Sequence, residues 1–552
     1  MARKCVFWIT ILLFIMIGLA PVAAMLVKSI FVSGELSLKN YAMLFKSKRE
    51  WTLLFNSLVL SGATTLITIL LGVPLGVLFA KTDLPFKRLF AVLFVVPLII
   101  PSYIIAVAWF YFLGRSGTIA GIFGSKAGIL ASSFLFSFPG TLFVTASVFL
   151  PIVIILTMTY LRMVNPRLEE AAKLSAAWFL ILRRISIPII KPGIFLAGLI
   201  VFILTAGEFG VPSFLRFDVF PVESFIQFSA FYNFNTATAA AIPLGIITLI
   251  VLVVERLFLR KKIFQFRLTK EAMIMAPLGK TKPLFFAAVC ALVFILVLIP
   301  LGVLSAKSFS PWAYREAFIR SIDSIFRSLL YASIGATCLV LFSFILGYLL
   351  ERKAIRFYYA VDSAAIFLFA LPGTVTGIGL ISLWNTQATN FIYASMCIIL
   401  FGYIAQYTAL GERIMAATFS QIPHSMEEAA QVVGAGWFRR LSGILIPLAK
   451  RGLVAAWFAG FIFCLRDLGL ATMVSPPDHD TLPVRIFTLM ANSPDEVTAA
   501  LCIIMVVIAF LPLCALALAV KYIARHGRNQ NKFRCAQTLP RAMRRQAENA
   551  NF

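Results

Sequence analysis

Residues 166–188 read PRLEEAAKLSAAWFLILRRISIP, and residues 423–447 read PHSMEEAAQVVGAGWFRRLSGILIP. The two stretches share one plan. Each opens on a proline, Pro166 or Pro423, and carries a Glu-Glu-Ala-Ala run, Glu169-Glu170-Ala171-Ala172 or Glu427-Glu428-Ala429-Ala430. Each continues to Trp178-Phe179 or Trp437-Phe438, and ten positions after the tryptophan reaches Ile-Pro at Pro188 or Pro447. Twenty positions past that proline an acid interrupts an apolar run, Glu208 in one copy and Asp467 in the other. Equal spacing over so long a reach marks a chain built as two halves on one plan.

Working outward, the halves belong in a membrane. Of 552 residues, 61% are hydrophobic, 13% are charged and 53 are Phe. A soluble globular chain is nearer half apolar and a quarter charged. This composition excludes a soluble enzyme, a disordered chain and a secreted disulfide scaffold. A helical span needs roughly 20 apolar residues. Stretches of that kind fall at 5–27, 52–80, 89–113, 129–161, 192–215 and 237–258, and again at 284–306, 327–350, 358–384, 391–411, 451–474 and 496–520. Six spans per half give both halves the same orientation, so the repeat is parallel. The expected fold is an all-α polytopic membrane protein of about twelve transmembrane helices. Its first module is expected at 1–258 with core 52–258, its second at 284–520, joined by a basic linker at 259–283 and followed by a basic tail at 521–552.

The net charge of +26 reads as topology. With the N-terminus inside, 35 of the 49 Lys and Arg fall in inside segments and 12 outside, with Arg327 and Arg466 at or within spans. That bias places both termini in the cytoplasm by the positive-inside rule. Arg3-Lys4, the apolar run behind them and Ala20-Pro21-Val22-Ala23-Ala24 also resemble a cleaved secretory signal, but the expectation is a retained span. The basic tail suits anionic lipid. It lacks the fold or aromatic platform of a nucleic-acid binder. Outer residues 28–50 carry five basic residues and read as a solvated loop.

The cysteines lie mostly within spans without a Cys-x-x-Cys pair, and His424, His479 and His526 are far apart, so neither a disulfide frame nor a metal site is expected. No cofactor is expected. Gly279-Lys280-Thr281 looks like the end of a phosphate loop, but Ile274 stands where its first glycine should be.

The loops themselves have a readable design. Pro166 and Pro423 suit a helix start, the glutamates meet the positive end of its dipole, and the alanines leave a small surface for a partner to approach. Gly434 permits a sharp turn. An amphipathic interfacial helix would look similar, yet two matched copies favour a paired docking surface.

The pattern Glu428-Ala429-Ala430, Gly434, Ile444 and Ile446-Pro447 resembles the signature loop of permease subunits of type I ABC importers, with Ile446 in place of the usual leucine. The first copy is one residue shorter before Trp178, and Ser175 or Ala176 stands where glycine is expected. Two such modules in one chain, with Leu371-Pro372-Gly373-Thr374 and Arg466-Asp467-Leu468-Gly469, resemble fused permeases of the ferric-iron and thiamine type. The resemblance implies a MetI-like fold in a bacterial inner membrane. It also implies two copies of a separate cytoplasmic ATPase subunit docked on the loops, an extracytoplasmic binding protein, and ferric iron as first cargo, with thiamine, phosphonate and polyamine behind it. The chain itself would then hydrolyse nothing. The competing expectation is an ion-driven secondary transporter of twelve spans.

A carboxylate at a span centre costs roughly 2.5–3.5 kcal/mol on insertion scales, so Glu208, Arg466 and Asp467 invite a functional reading. Two readings stand at this stage. They line the translocation pathway, or Arg466 pairs with a carboxylate where the modules meet.

Overall fold

A computed structural model describes residues 2–32, 35–36, 42, 46–229, 234–259 and 275–514. Among them, nine helices are long and apolar enough to cross a membrane, or ten if one bent pair counts as a span. Every one of the twelve expected stretches contains helix, but several are not straight spans. The sixth lies within helix Phe234–Leu259, with an apolar run over Ile242–Val254. The tenth is Met396–Phe419, which carries Gln406, Glu412 and Arg413.

The third and ninth stretches break at a proline. Lys87–Ile99 gives way to Ser102–Leu113, and Tyr358–Ala370 gives way to Gly373–Trp384, the latter pair meeting at 109°. Pro101 and Pro372 lack a backbone donor and push the preceding residue out of the helical region. Accordingly Ile100 and Leu371 are extended, with ψ of 134° and 140°.

The fifth and eleventh stretches start earlier and stop earlier than hydropathy suggests. Helix runs from Trp178 and from Trp437 through π turns at Leu182–Ser186 and Leu441–Leu445, and ends at Ala206 and Arg466. Each π turn contains the carbonyl four residues before a proline, Pro188 or Pro447, which the proline ring crowds and leaves without a donor. Short helices Gly210–Phe214 and Gly469–Val474 follow the breaks. Glu208 and Asp467 therefore stand at interruptions, not within continuous helix.

Within each half, small residues let helices cross closely. A Cβ added at Gly76 would lie 2.7 Å from the Thr157 Cβ, and one at Gly347 would lie 2.7 Å from the Met415 Cβ. These crossings sit at matched places in the two halves, joining helices Lys48–Lys81 and Phe138–Leu161 in one and Pro311–Glu351 and Met396–Phe419 in the other.

The first helix of each half packs on the opposite half. Ile17 joins a core cluster with Ile404 and Ala405, the Phe7 ring meets those of Tyr348 and Trp437, and Lys28 donates to the Ser382 carbonyl. Conversely Val289, Val293, Leu296 and Val297 complete a cluster with Leu75, Phe79, Phe90, Phe94, Leu150 and Ile154. The residues leading into that seventh span are stitched to the first half. Ala276 N–H donates to the Lys81 carbonyl (2.7 Å), and Asp83 accepts from Leu278 N–H and from Lys282, each at 2.9 Å. Gly279–Thr281 is a 3₁₀ turn leading into helix Lys282–Val293. Most of the expected linker 259–283, the whole tail 521–552 and part of 28–50 lie outside the described residues.

Candidate functional site

The Glu-Ala-Ala runs form short helices, Pro166–Lys173 and His424–Val432. The side chain of Asn165 caps the first by accepting from Arg167 N–H at 3.0 Å. On an α-helix, adjacent residues point about 100° apart, so the two glutamates of each pair face different ways.

Glu169 faces inward and is fully buried. It pairs with Lys81, also fully buried, at 2.6 Å and accepts from the Ser186 hydroxyl at 2.7 Å. Glu427 is buried likewise. It accepts from Arg352 and from the Tyr348 hydroxyl, both at 2.9 Å, while Arg352 also donates to the Ile422 carbonyl at 3.0 Å. Lys81 ends the helix of the second span, and Arg352 follows that of the eighth. Glu170 and Glu428 are exposed, the latter 3.1 Å from the His424 ring. Ala171 and Ala429 are exposed beside them, and Ala172 and Ala430 are half-buried.

The exposed faces are more apolar than the glutamates suggest. Leu174 is 92% exposed, and Val432 and Val433 are each 87% exposed. Phe179 and Phe438, one position past the tryptophans, also face out. Gly434 has φ of +83°, the left-handed value that ends the second helix, and Ala435 N–H reaches back to the Ala430 carbonyl at 2.9 Å. The first loop turns with no positive φ. There Ala176 N–H bonds the Ala172 carbonyl at 2.9 Å.

The acids at the breaks gather in the interior. Glu208 accepts from the Ser102 hydroxyl at 2.7 Å and from Val211 N–H at 3.2 Å, which caps the short helix behind it. Asp467 accepts from Ala471 N–H at 3.0 Å in the same role, and from the Tyr407 hydroxyl. Arg466 donates to the carbonyl of Leu98, across the halves, rather than to either carboxylate, and its guanidinium lies 5.5 Å from the Phe463 ring centre. The halves touch here twice more. A Cβ at Gly207 would lie 3.4 Å from the Pro372 backbone, and one at Gly469 would lie 3.4 Å from the Phe209 Cβ.

Glu208, Arg466 and Asp467 all line one cavity of about 1830 Å³. Both halves contribute to its wall, which runs from Ser102 and Tyr407 beside the acids to Arg413 and to Glu351 and Lys353, the neighbours of the Arg352 that holds Glu427. Among the described residues no group of three or more His, Cys, Asp or Glu is placed to hold a metal ion.

Sequence reasoning named both glutamates of each pair but missed their buried partners and the apolar knobs. A signal existed for the cations. Lys81 and Arg352 each stand twenty positions before the proline that breaks the next span, Pro101 or Pro372.

Two matched halves rich in apolar helices, proline-broken spans, a paired loop in each half and a cavity shared by both halves define a polytopic transport permease. The chain belongs to the family described as binding-protein-dependent transport system inner membrane component, which it matches twice, at residues 72–264 and 299–526. It is thus a multi-pass inner-membrane component of a binding-protein-dependent transport system. Among similar proteins, a putative ferric transport system permease protein FbpB 1 of Haemophilus influenzae is 23% identical over 74% of this chain and 67% of its own length. Ferric transport system permease protein FbpB of Actinobacillus pleuropneumoniae is 22% identical over 74% of this chain and 62% of its own. Fe(3+)-transport system permease protein FbpB 2 of Haemophilus influenzae is 22% identical over 93% of this chain and 98% of its own.

Proposed function

We propose that this chain forms the translocation pathway of an ATP-driven importer and that its cargo is ferric iron. The reading is supported by a pair of exposed, apolar-tipped Glu-Ala-Ala loops, one in each half, together with a cavity walled by both halves. In this reading two copies of a separate ATPase subunit hold the loops, one each, and supply all the hydrolysis. Leu174, Val432 and Val433 enter an apolar groove on each subunit, and Glu170 and Glu428 meet donors at its rim. Ala171, Ala172, Ala429 and Ala430 allow close approach, and Gly434 sets the turn. Both termini are cytoplasmic, on the loop side. The modules run 1–258 and 284–520, with their first helices exchanged. An extracytoplasmic binding protein brings the cargo, and iron is the choice because three of the relatives that cover most of the chain carry ferric transport names.

Docking is tested by Leu174→Asp with Val432→Asp. Burial of such side chains is worth about 1.5–3 kcal/mol each, so co-purification of the ATPase subunit should fall at least tenfold. Glu170→Lys with Glu428→Lys should weaken it less. Undiminished co-purification in both pairs would reject the assignment.

The pathway reading gives Glu208, Arg466 and Asp467 a place in the cavity wall. A structural reading also has an observation behind it, since each acid caps a short helix and Arg466 joins the halves. Glu208→Gln with Asp467→Asn keeps hydrogen-bond acceptors and removes charge. It should cut uptake of radiolabelled ferric iron severalfold at normal membrane levels. Unchanged uptake would leave the structural reading standing.

A further inference from the structure

The coupling loops are held by more than the chain that leads into and out of them. Glu169 touches three elements. It sits on the helix Pro166–Lys173, pairs with Lys81 at the end of Lys48–Lys81, and accepts from Ser186, the residue before helix Ile187–Ala206. That last helix ends two residues before Glu208. Glu427 is placed comparably, with its carboxylate meeting the end of one helix and its backbone meeting the approach to another. It ties His424–Val432 to Tyr348 and Arg352 at the end of Pro311–Glu351, and its backbone carbonyl accepts from Arg440, just ahead of the π turn that enters Ile446–Arg466. Residues at the far ends of these helices, Glu208 and Arg466, and at their near ends, Leu350 and Glu351, line the cavity.

From this geometry we infer that Glu169 and Glu427 are positioning residues. Each carboxylate ties its loop helix to a cavity-lining helix, Ile187–Ala206 through Ser186 in the first half and Pro311–Glu351 through Tyr348 and Arg352 in the second, so that a displacement of the loop moves that part of the cavity wall with it. The division of labour within each pair follows. The outward glutamate and the apolar knobs meet the partner, and the inward glutamate transmits what the partner does. A buried carboxylate held by a cation and a hydroxyl suits this task, because its contacts are short, directional and shielded from water. A purely apolar contact at the same place could slide. This inference rests on the docking reading above.

The test uses the full chain in lipid nanodiscs with its co-purified ATPase subunit. A cysteine introduced at Ile203, in the cavity wall, is labelled with a maleimide before and after the complex is trapped with ATP and vanadate, and the label on the peptide that carries position 203 is quantified by mass spectrometry, because the chain has eight cysteines of its own. Ser186→Ala with Tyr348→Phe loosens both welds without stranding a charge. The expected result is retained ATPase subunit, ATP hydrolysis within about twofold of the parent, and at least a threefold smaller change in labelling on trapping. Lys81→Arg with Arg352→Lys keeps a cation beside each carboxylate, and its labelling change should equal the parent's. A parent-like labelling change in Ser186→Ala with Tyr348→Phe overturns the inference while leaving docking intact. A parent chain that retains no ATPase subunit overturns docking itself, and the inference with it.

Discussion

The two loops solve one problem with different residues. In the first half a buried lysine and a serine hold the inward carboxylate; in the second an arginine and a tyrosine do. Lysine presents a compact point charge, whereas the arginine fork can serve two acceptors at once. Arg352 uses that fork to hold both Glu427 and the Ile422 carbonyl, just before the loop helix, whereas Lys81 gives its ammonium to Glu169. What is common is the position and burial of the carboxylate. The cation that meets it is free to vary. The difference also extends to the turns, left-handed at Gly434 in one loop and free of positive φ in the other.

The sharpest way to break this comparison is to remove each carboxylate. Stranding one member of a buried ion pair costs roughly 3–5 kcal/mol. Glu169→Ala leaves the fully buried Lys81 without its counter-ion and should reach that range. Glu427→Ala should cost less, because Arg352 keeps its bond to Ile422 and is slightly more exposed. Thermal unfolding in detergent, with the yield of assembled protein, measures both. Equal losses would mean that the fork adds nothing.

Much of this was legible in the sequence. The repeat, the helical stretches and the loop helices follow from spacing and hydropathy, and the turn at Gly434 from its residue type. The rest was hidden for physical reasons. Hydropathy does not register a break at Pro101 or Pro372 when both flanks stay apolar. Which glutamate of a pair turns inward depends on where Lys81 or Arg352 comes to rest, which no local pattern records. The exchange of first helices is equally invisible, since an apolar helix does not name its neighbour. Arg466 was expected to find a carboxylate if it joined the modules. It joins them through the Leu98 carbonyl instead, because the proline-broken span leaves a carbonyl there.

A smaller effect tests whether the halves share their framework as closely as their loops. Gly76→Val and Gly347→Val each force a side chain into a crossing with no room at the β carbon. Overpacking of this kind costs about 1–3 kcal/mol. The two variants should lose similar stability in the same unfolding measurement, since the neighbouring atoms are a Cβ in each case and cannot swing aside. A large difference would show that one half carries the fold and the other follows it.

The smallest effect separates the turns. Gly434 lies at φ +83° with nothing within 4 Å of a Cβ built on it, so a substitution there meets no clash and pays only for the backbone. For an L-residue that conformation costs about 1–2 kcal/mol. Gly434→Ala should therefore shift the second loop toward other turns and weaken association of the ATPase subunit severalfold, with little change in unfolding temperature. Ser175→Ala, at the matched place in the first loop, should change neither, because no positive φ is required there. Equal responses at the two sites would mean that the partner reshapes both loops on binding, and that the left-handed turn at Gly434 does not set the second loop's docking geometry.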